Sequence, residues 1–280
     1  LASLTSPYII RPQDILLDIK NTPVGYTMRF LRDTFSLCQL FTKAFRRRNN
    51  ITADDIAKLV LCMRQTVEHI HSKKILLVDI NELNFLVGSQ FDEVYFIDTD
   101  SYQTPHFSAT ALMLSVKDWH TKVFSELSDW FSFAVVTFQL LIGIHPYRGK
   151  HSIYGDDFEE RMKRNISVFN PDVRVPPVCE SFDVIPEVWR DWYQTVFSGG
   201  RLPPPVGLIA AISLKTTTKK IQNTEKLEFE LLEQFTSEIR GVFASFGKSA
   251  VITKDSVHAA SVVLSESYTH VTFTPQTNCP

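Results

Sequence analysis

Paired cysteines are what this sequence most plainly lacks. Its four, Cys38, Cys62, Cys179 and Cys279, lie far apart with no CxxC among them. That argues against a zinc site or a disulfide framework and suits a reducing compartment, so a cytoplasmic setting is expected. One-signed charge is missing too: 29 basic and 31 acidic residues, mixed along the chain, leave a net charge of -2. Without a basic face, no nucleic-acid partner is expected. Long apolar runs are absent as well. The longest, FAVVTFQLLIGI at 133–144, falls short of the roughly 20 residues that cross a bilayer, so no membrane span is expected, and no signal peptide is visible. The first residue is Leu1 rather than methionine, which reads as a processed, trimmed or incompletely recorded product. What remains is 44% apolar and 21% charged, the composition of a globular chain long enough for a sizeable core and a second small unit.

Local patterns divide the chain. YIIRPQDILLDI and VGYTMRFL, joined by KNTP, predict two short strands with a turn between them. TADDIAKLVLCMRQTVEHIHS puts Ile56, Leu59, Val60, Met63, Val67 and Ile70 on one helical face, opened by a capping box of Thr52 and Asp55. KKILLVDINELNFLV then predicts strands at 75–78 and 85–87, and EVYFIDTDSYQ a further strand ending in acids. SDWFSFAVVTFQLLIG is apolar on nearly every face, which predicts a buried central helix starting at Ser128 or Asp129 and stopping at Gly143. Another helix is expected over 186–198, between Pro186 and Gly199. After RLPPP come a lysine-rich stretch from Lys215, a helix near 224–240, and the strand-like runs SAVIT, ASVVLS and THVTFT, which are too short to close a sheet alone.

Among the polar residues, Asp79, Asn84 and Asp98 form the one constellation with a chemical reading. A carboxylate that can orient or deprotonate a hydroxyl, followed by an amide oxygen and a second carboxylate that can hold magnesium, suits phosphoryl transfer from a metal-bound nucleotide. The same residues also fit a polar turn and an acid-ended strand. His69 and His71, two apart at a helix end, read as solvated caps, FRRRNN at 45–50 as a solvated helix end, and the four tryptophans as packing residues.

The surroundings of that constellation resemble the protein kinase superfamily. HSKKILLVDINELNFLV is similar to its catalytic loop, VYFIDTDS to its metal-binding DFG segment, and SDWFSFAVVTFQLLIGIHPY to its central helix, in the family's order. VGYTMRFL looks like the last small-lobe strand running into the hinge, and FSGGRLPPP like the end of the large lobe. The double acid before Ser-Tyr-Gln is most similar to a bacterial and phage branch of kinase-like proteins.

The resemblance implies an α+β, protein-kinase-like fold. Residues 1–31 would be a remnant of the β small lobe and hinge, 32–214 a mainly helical large lobe, 215–241 a linker and helix, and 242–280 a β-rich tail. It implies ATP and Mg2+ as cofactors and a protein as substrate or partner. Asp79 would be the catalytic aspartate, Asn84 and Asp98 the metal ligands, and Leu86 the floor under adenine. Met28 would be the gatekeeper, with the backbone of Arg29 and Leu31 at the adenine edge. Asp129 would accept bonds from catalytic-loop amides, and Arg201 would be the buried large-lobe arginine, its acidic partner left open because Glu126 sits too near Asp129. The implied function is transfer of phosphate from ATP to a protein Ser/Thr hydroxyl, completed by a small lobe that these residues do not supply. The alternative is a pseudokinase that serves as a nucleotide- or protein-binding scaffold.

Several departures from the family pattern favour the alternative. Leu77 and Val78 stand where His-Arg is usual, Asn81 where a lysine is usual, and Asp100 where a glycine is usual. No glycine-rich loop, strand lysine or helix glutamate precedes the hinge. Without the arginine, control by activation-loop phosphate is not expected.

Overall fold

The computed structural model describes residues 1–109 and 112–206, together with the backbone of four strands between 239 and 264. The chain divides into two units, Leu1–Thr218 and Lys219–Pro280. The architecture is mixed α+β.

The first unit opens with an antiparallel hairpin, β1 (Pro12–Leu17) and β2 (Pro23–Met28). The turn forms where the polar residues predict it: the Asp18 carboxylate accepts from the amides of Lys20 and Thr22, both at 2.8 Å, and Asn21 takes the left-handed conformation at φ 59°. The hairpin leaves Ile15, Leu16, Val24 and Tyr26 exposed. Two strands alone provide no shared core for these side chains.

The core lies outside the hairpin: Leu4 and Ile9 before it are buried with the elements that follow it. β3 (Thr34–Ser36), β4 (Phe85–Gly88) and β5 (Val94–Phe96) form a three-stranded antiparallel sheet in which Phe35 pairs with Val87 and Phe85 with Phe96. Between β3 and β4 run the short α1 (Lys43–Arg48) and the long α2 (Ala53–Ser72). α2 starts on the expected capping box, with the Asp55 amide bonded to Thr52 Oγ1 at 3.2 Å and the Thr52 amide to Asp55 Oδ2 at 2.9 Å. Its expected apolar stripe is buried throughout. Of the 45–50 run, Arg46 departs from the solvated reading: its guanidinium donates to the carbonyls of Leu40 and Leu140, while Arg47 and Arg48 are exposed.

α3 (Glu126–Ile142) is the central helix, packed against α2 and against α5 (Glu187–Phe197). Its start lies earlier than Ser128 or Asp129, because Ser125 is the cap and Ser128 completes a reciprocal capping box three residues on. Its end at Gly143, φ 85°, is as expected. From Ser128 onward α3 is buried on nearly every face: Phe138 meets Phe169, Phe182, Tyr193 and Phe197 with ring centroids 5.3–5.9 Å apart. Each such ring removed from water contributes about 1.5–3 kcal/mol. α4 (Phe158–Lys163) and the two-residue strands β6 (Lys150–His151) and β7 (Val173–Arg174) complete the unit. Of the tryptophans, Trp130, Trp189 and Trp192 are buried, and Trp119 is half-buried.

The second unit corrects the expectation that its strands are too short for a sheet. β8 (Ile239–Ser245), β9 (Lys248–Thr253), β10 (Val257–Ala259) and β11 (Val262–Leu264) form a four-stranded antiparallel meander. Connections of two or three residues between consecutive strands let each pair with the next. Ile239 and Arg240 are strand, so the helix expected over 224–240 does not reach them; 224–238 and the THVTFT run lie outside the described residues.

Candidate functional site

The segment from Ile75 to Val78 was expected to be a strand, and it is not one. Only Leu76 pairs, in an isolated bridge with Gln103. The reason is where the next two amides go: Leu77 donates to Asp129 Oδ2 at 2.8 Å and Val78 to Asp129 Oδ1 at 2.9 Å. The carboxylate, wholly buried in the first turn of α3, therefore takes the place of a neighbouring strand. His71 adds a third bond, its Nε2 at 2.9 Å from Asp129 Oδ2. His71 is thus a buried anchor rather than a solvated cap, and His69 is half-buried. The signal was present in the helix register: His71 lies four residues after Val67 and eight after Met63, on the stripe that faces the core.

Pulled inward at Leu77 and Val78, the loop bends sharply. Val78 has φ 66°, a left-handed conformation that is costly for a β-branched residue and persists only where the surroundings enforce it. Asp79 follows, half-buried, with its carboxylate held on both oxygens. Oδ1 accepts the Met113 amide at 2.8 Å and Oδ2 the Asn81 side-chain amide at 2.9 Å. Asn81, which stands where the resemblance implies a lysine, is buried and also accepts the Leu83 amide at 2.9 Å. Its role is to orient Asp79, and composition alone did not reveal it.

The β4–β5 hairpin brings the other two acceptors alongside. The Asn84 carbonyl receives the Ile97 amide at 3.0 Å, so Asn84 and Asp98 flank the open end of the same strand pair. Asn84 Nδ2 donates to the Asp79 carbonyl at 3.0 Å, which leaves its amide oxygen without a donor among the described residues. Asp98 is exposed and left-handed, φ 63° and ψ 49°, and its carboxylate oxygens likewise have no described partner. Partial burial, then the neighbouring charges of Asp100 and Asp79, push its carboxyl above the usual carboxylate range. Asp79, Asp98 and Asp100 therefore share one electronegative corner. Among the described residues no group of three His, Cys, Asp or Glu forms a metal cage. One carboxylate and one amide oxygen with open lone pairs fit Mg2+, which typically takes one or two protein oxygens and completes its shell with water and phosphate.

The expected adenine side is less enclosed. Leu86 is half-buried and pairs across the hairpin with Tyr95, and the Arg29 guanidinium lies 5.2 Å above the Tyr95 ring. Arg29, Leu86 and Tyr95 thus meet at one corner. Leu31 is half-buried beside it in sequence, while Met28 ends β2 with 42% of its surface exposed.

Arg201 is half-buried, and its partner is Asp118 rather than Glu126. Nε and Nη2 grip the two carboxylate oxygens at 2.6 and 2.7 Å, and the His120 amide adds a bond at 3.0 Å. Burial is the largest single influence on Asp118 and pushes its carboxyl up, but the Arg201 and His120 interactions together outweigh it and leave it below the usual range. The sign follows from linkage. The pair's contribution to stability is complete above the unfolded carboxylate value of about 3.9 and is lost as pH falls through the lower folded value. Asp118→Asn is expected to flatten that acid limb in urea midpoints measured across it; an unchanged limb would remove Asp118 as its source.

No protein-family model matches the chain, and no curated protein matches it significantly.

Proposed function

We propose that the first unit is a protein-kinase-like phosphotransferase lobe acting on ATP and a protein Ser/Thr hydroxyl. The observation that carries this reading is the buried Asp129 carboxylate, which holds the loop amides of Leu77 and Val78 and so presents Asp79 beside Asn84 and Asp98. A local polar turn has no need of an anchor more than 50 residues away in the chain. In the reaction, the hydroxyl oxygen attacks the γ-phosphorus, its proton passes to the Asp79 carboxylate, and the bond to the β,γ-bridging oxygen breaks to release ADP. Met113 and Asn81 keep that carboxylate in one orientation. Asn84 and Asp98 would hold Mg2+, which would supply charge neutralisation at the phosphates.

The pseudokinase reading has its own support. One oxygen of Asp79 is occupied by a backbone amide, and Met28 and Arg29 at the adenine side are exposed. Calorimetric titration of ATP with and without Mg2+ tests the nucleotide site, and binding that requires the cation is expected. Equal binding in both conditions, or none in either, overturns the metal assignment. Phosphoryl transfer by these 280 residues is expected to be negligible, because no glycine-rich loop or strand lysine positions the phosphates. Robust turnover, read with radiolabelled ATP and a serine peptide, would contradict that expectation and exclude the pseudokinase reading.

A further inference from the structure

A groove of about 550 Å3 begins one residue from Asp79. Val78 forms part of its wall, and Leu112 and Leu114, on either side of the Met113 amide that bonds Asp79, form another part. Trp119, Val123 and Phe124 continue the apolar lining. The charged residues in the wall are Lys117, Lys122 and Asp118. Asp118 is already neutralised by the two-pronged grip of Arg201. Neither lysine has an ion-pair partner among the described residues. Lys117 instead lies 4.3 Å over the Trp119 ring, which holds its ammonium group beside the lining. The Trp119 indole N–H is buried with no acceptor among the described residues.

We propose that this groove binds the acceptor protein as an extended segment carrying an Asp or Glu side chain close to the Ser/Thr hydroxyl. The proposal deepens the phosphotransfer reading and rests on it for the identity of the hydroxyl. The lining is apolar at Leu112, Leu114, Val123 and Phe124 and positive at Lys117 and Lys122. Among the described lining residues its one acid, Asp118, is spent on Arg201. An extended chain advances about 3.3 Å per residue, so the acidic side chain belongs within a few residues of the hydroxyl that faces Asp79. Lys117 and Lys122 would pair with it, and complementary charge at a groove edge sets specificity more than total affinity.

The test is direct binding to the full 280-residue chain, without nucleotide. Two fluorescein-labelled peptides are compared by polarisation, identical except for aspartates or lysines flanking a central serine. The aspartate peptide is expected to bind at least about tenfold more tightly. Lys117→Glu with Lys122→Glu is expected to reverse that order, with a loss of thermal midpoint no larger than that of Lys117→Ala, which also removes the Trp119 contact, and to leave Mg2+-dependent ATP binding unaltered. Equal affinities for the two peptides, unchanged selectivity in the double variant, or no binding of either up to about 1 mM would each overturn the proposal. A loss of peptide selectivity with intact MgATP binding counts against the groove alone; absent MgATP binding with intact selectivity counts against the phosphotransfer reading alone.

Discussion

Asp129→Ala is expected to destabilise the first unit by about 3–5 kcal/mol, the cost of removing one partner from a buried, charged network. Three donors lose their acceptor at once: the amides of Leu77 and Val78 and the Nε2 of His71. None of them reaches water in place, because Leu77, Val78 and His71 are all buried. Asp129→Asn keeps the shape, yet its NH2 group faces a donor where an oxygen stood, so a large loss is expected there as well. Urea unfolding followed by tryptophan fluorescence measures both variants, with Trp130 as a neighbour of the network, its ring centroid 5.2 Å from that of His71. An ordinary surface helix cap costs only about 0.5–2 kcal/mol when lost. A loss of that smaller size would mean that the carboxylate is a local cap and that the loop does not depend on it.

Asp98→Asn is expected to abolish the Mg2+ dependence of ATP binding, whereas Asp79→Asn is expected to leave affinity within about threefold of the parent, since in the proposed reaction Asp79 would meet the hydroxyl rather than the metal. Asp98 is the exposed carboxylate with unoccupied oxygens, while both oxygens of Asp79 are already engaged by Asn81 and Met113. Replacing Asp98 also relieves its repulsion with Asp100 and Asp79, so the folded state is not expected to suffer. Calorimetry of each variant with and without Mg2+ separates the two roles. Equal losses of nucleotide affinity in both variants would contradict the division between metal ligand and hydroxyl acceptor.

The elements that were legible in advance carry their signals within a turn or two of chain. The Thr52 and Asp55 box, the apolar stripe of α2, the proline-to-glycine span of α5 and the turn at 20–23 each satisfy backbone groups or bury a face through near neighbours. The grouping of Asp79, Asn84 and Asp98 was legible for a related reason: they lie along the β4–β5 hairpin and the loop before it, so their order in the chain maps onto their order in space. The anchoring role of Asp129 followed from the resemblance, and its two amide bonds appear where that resemblance puts them.

Other features depended on partners too remote for any local pattern to name. The apolar run ILLV at 75–78 has the composition of a strand, but strand pairing is decided by what lies beside the backbone, and there the neighbour is a carboxylate. His71 was misread because its place at the helix end suggested a solvated cap, whereas the buried carboxylate opposite it supplies a bond that makes burial tolerable. Arg201 chose Asp118 across 83 residues, and Asn81 became a clamp on Asp79 only once the loop had bent. By itself, then, the sequence determined α2 with its cap, the body and glycine stop of α3, and α5, because periodicity and capping act over a few residues. Tertiary structure alone decided the pairings of His71, Asn81 and Arg201, because a polar group removed from water must take whichever partner the packing brings within about 3 Å.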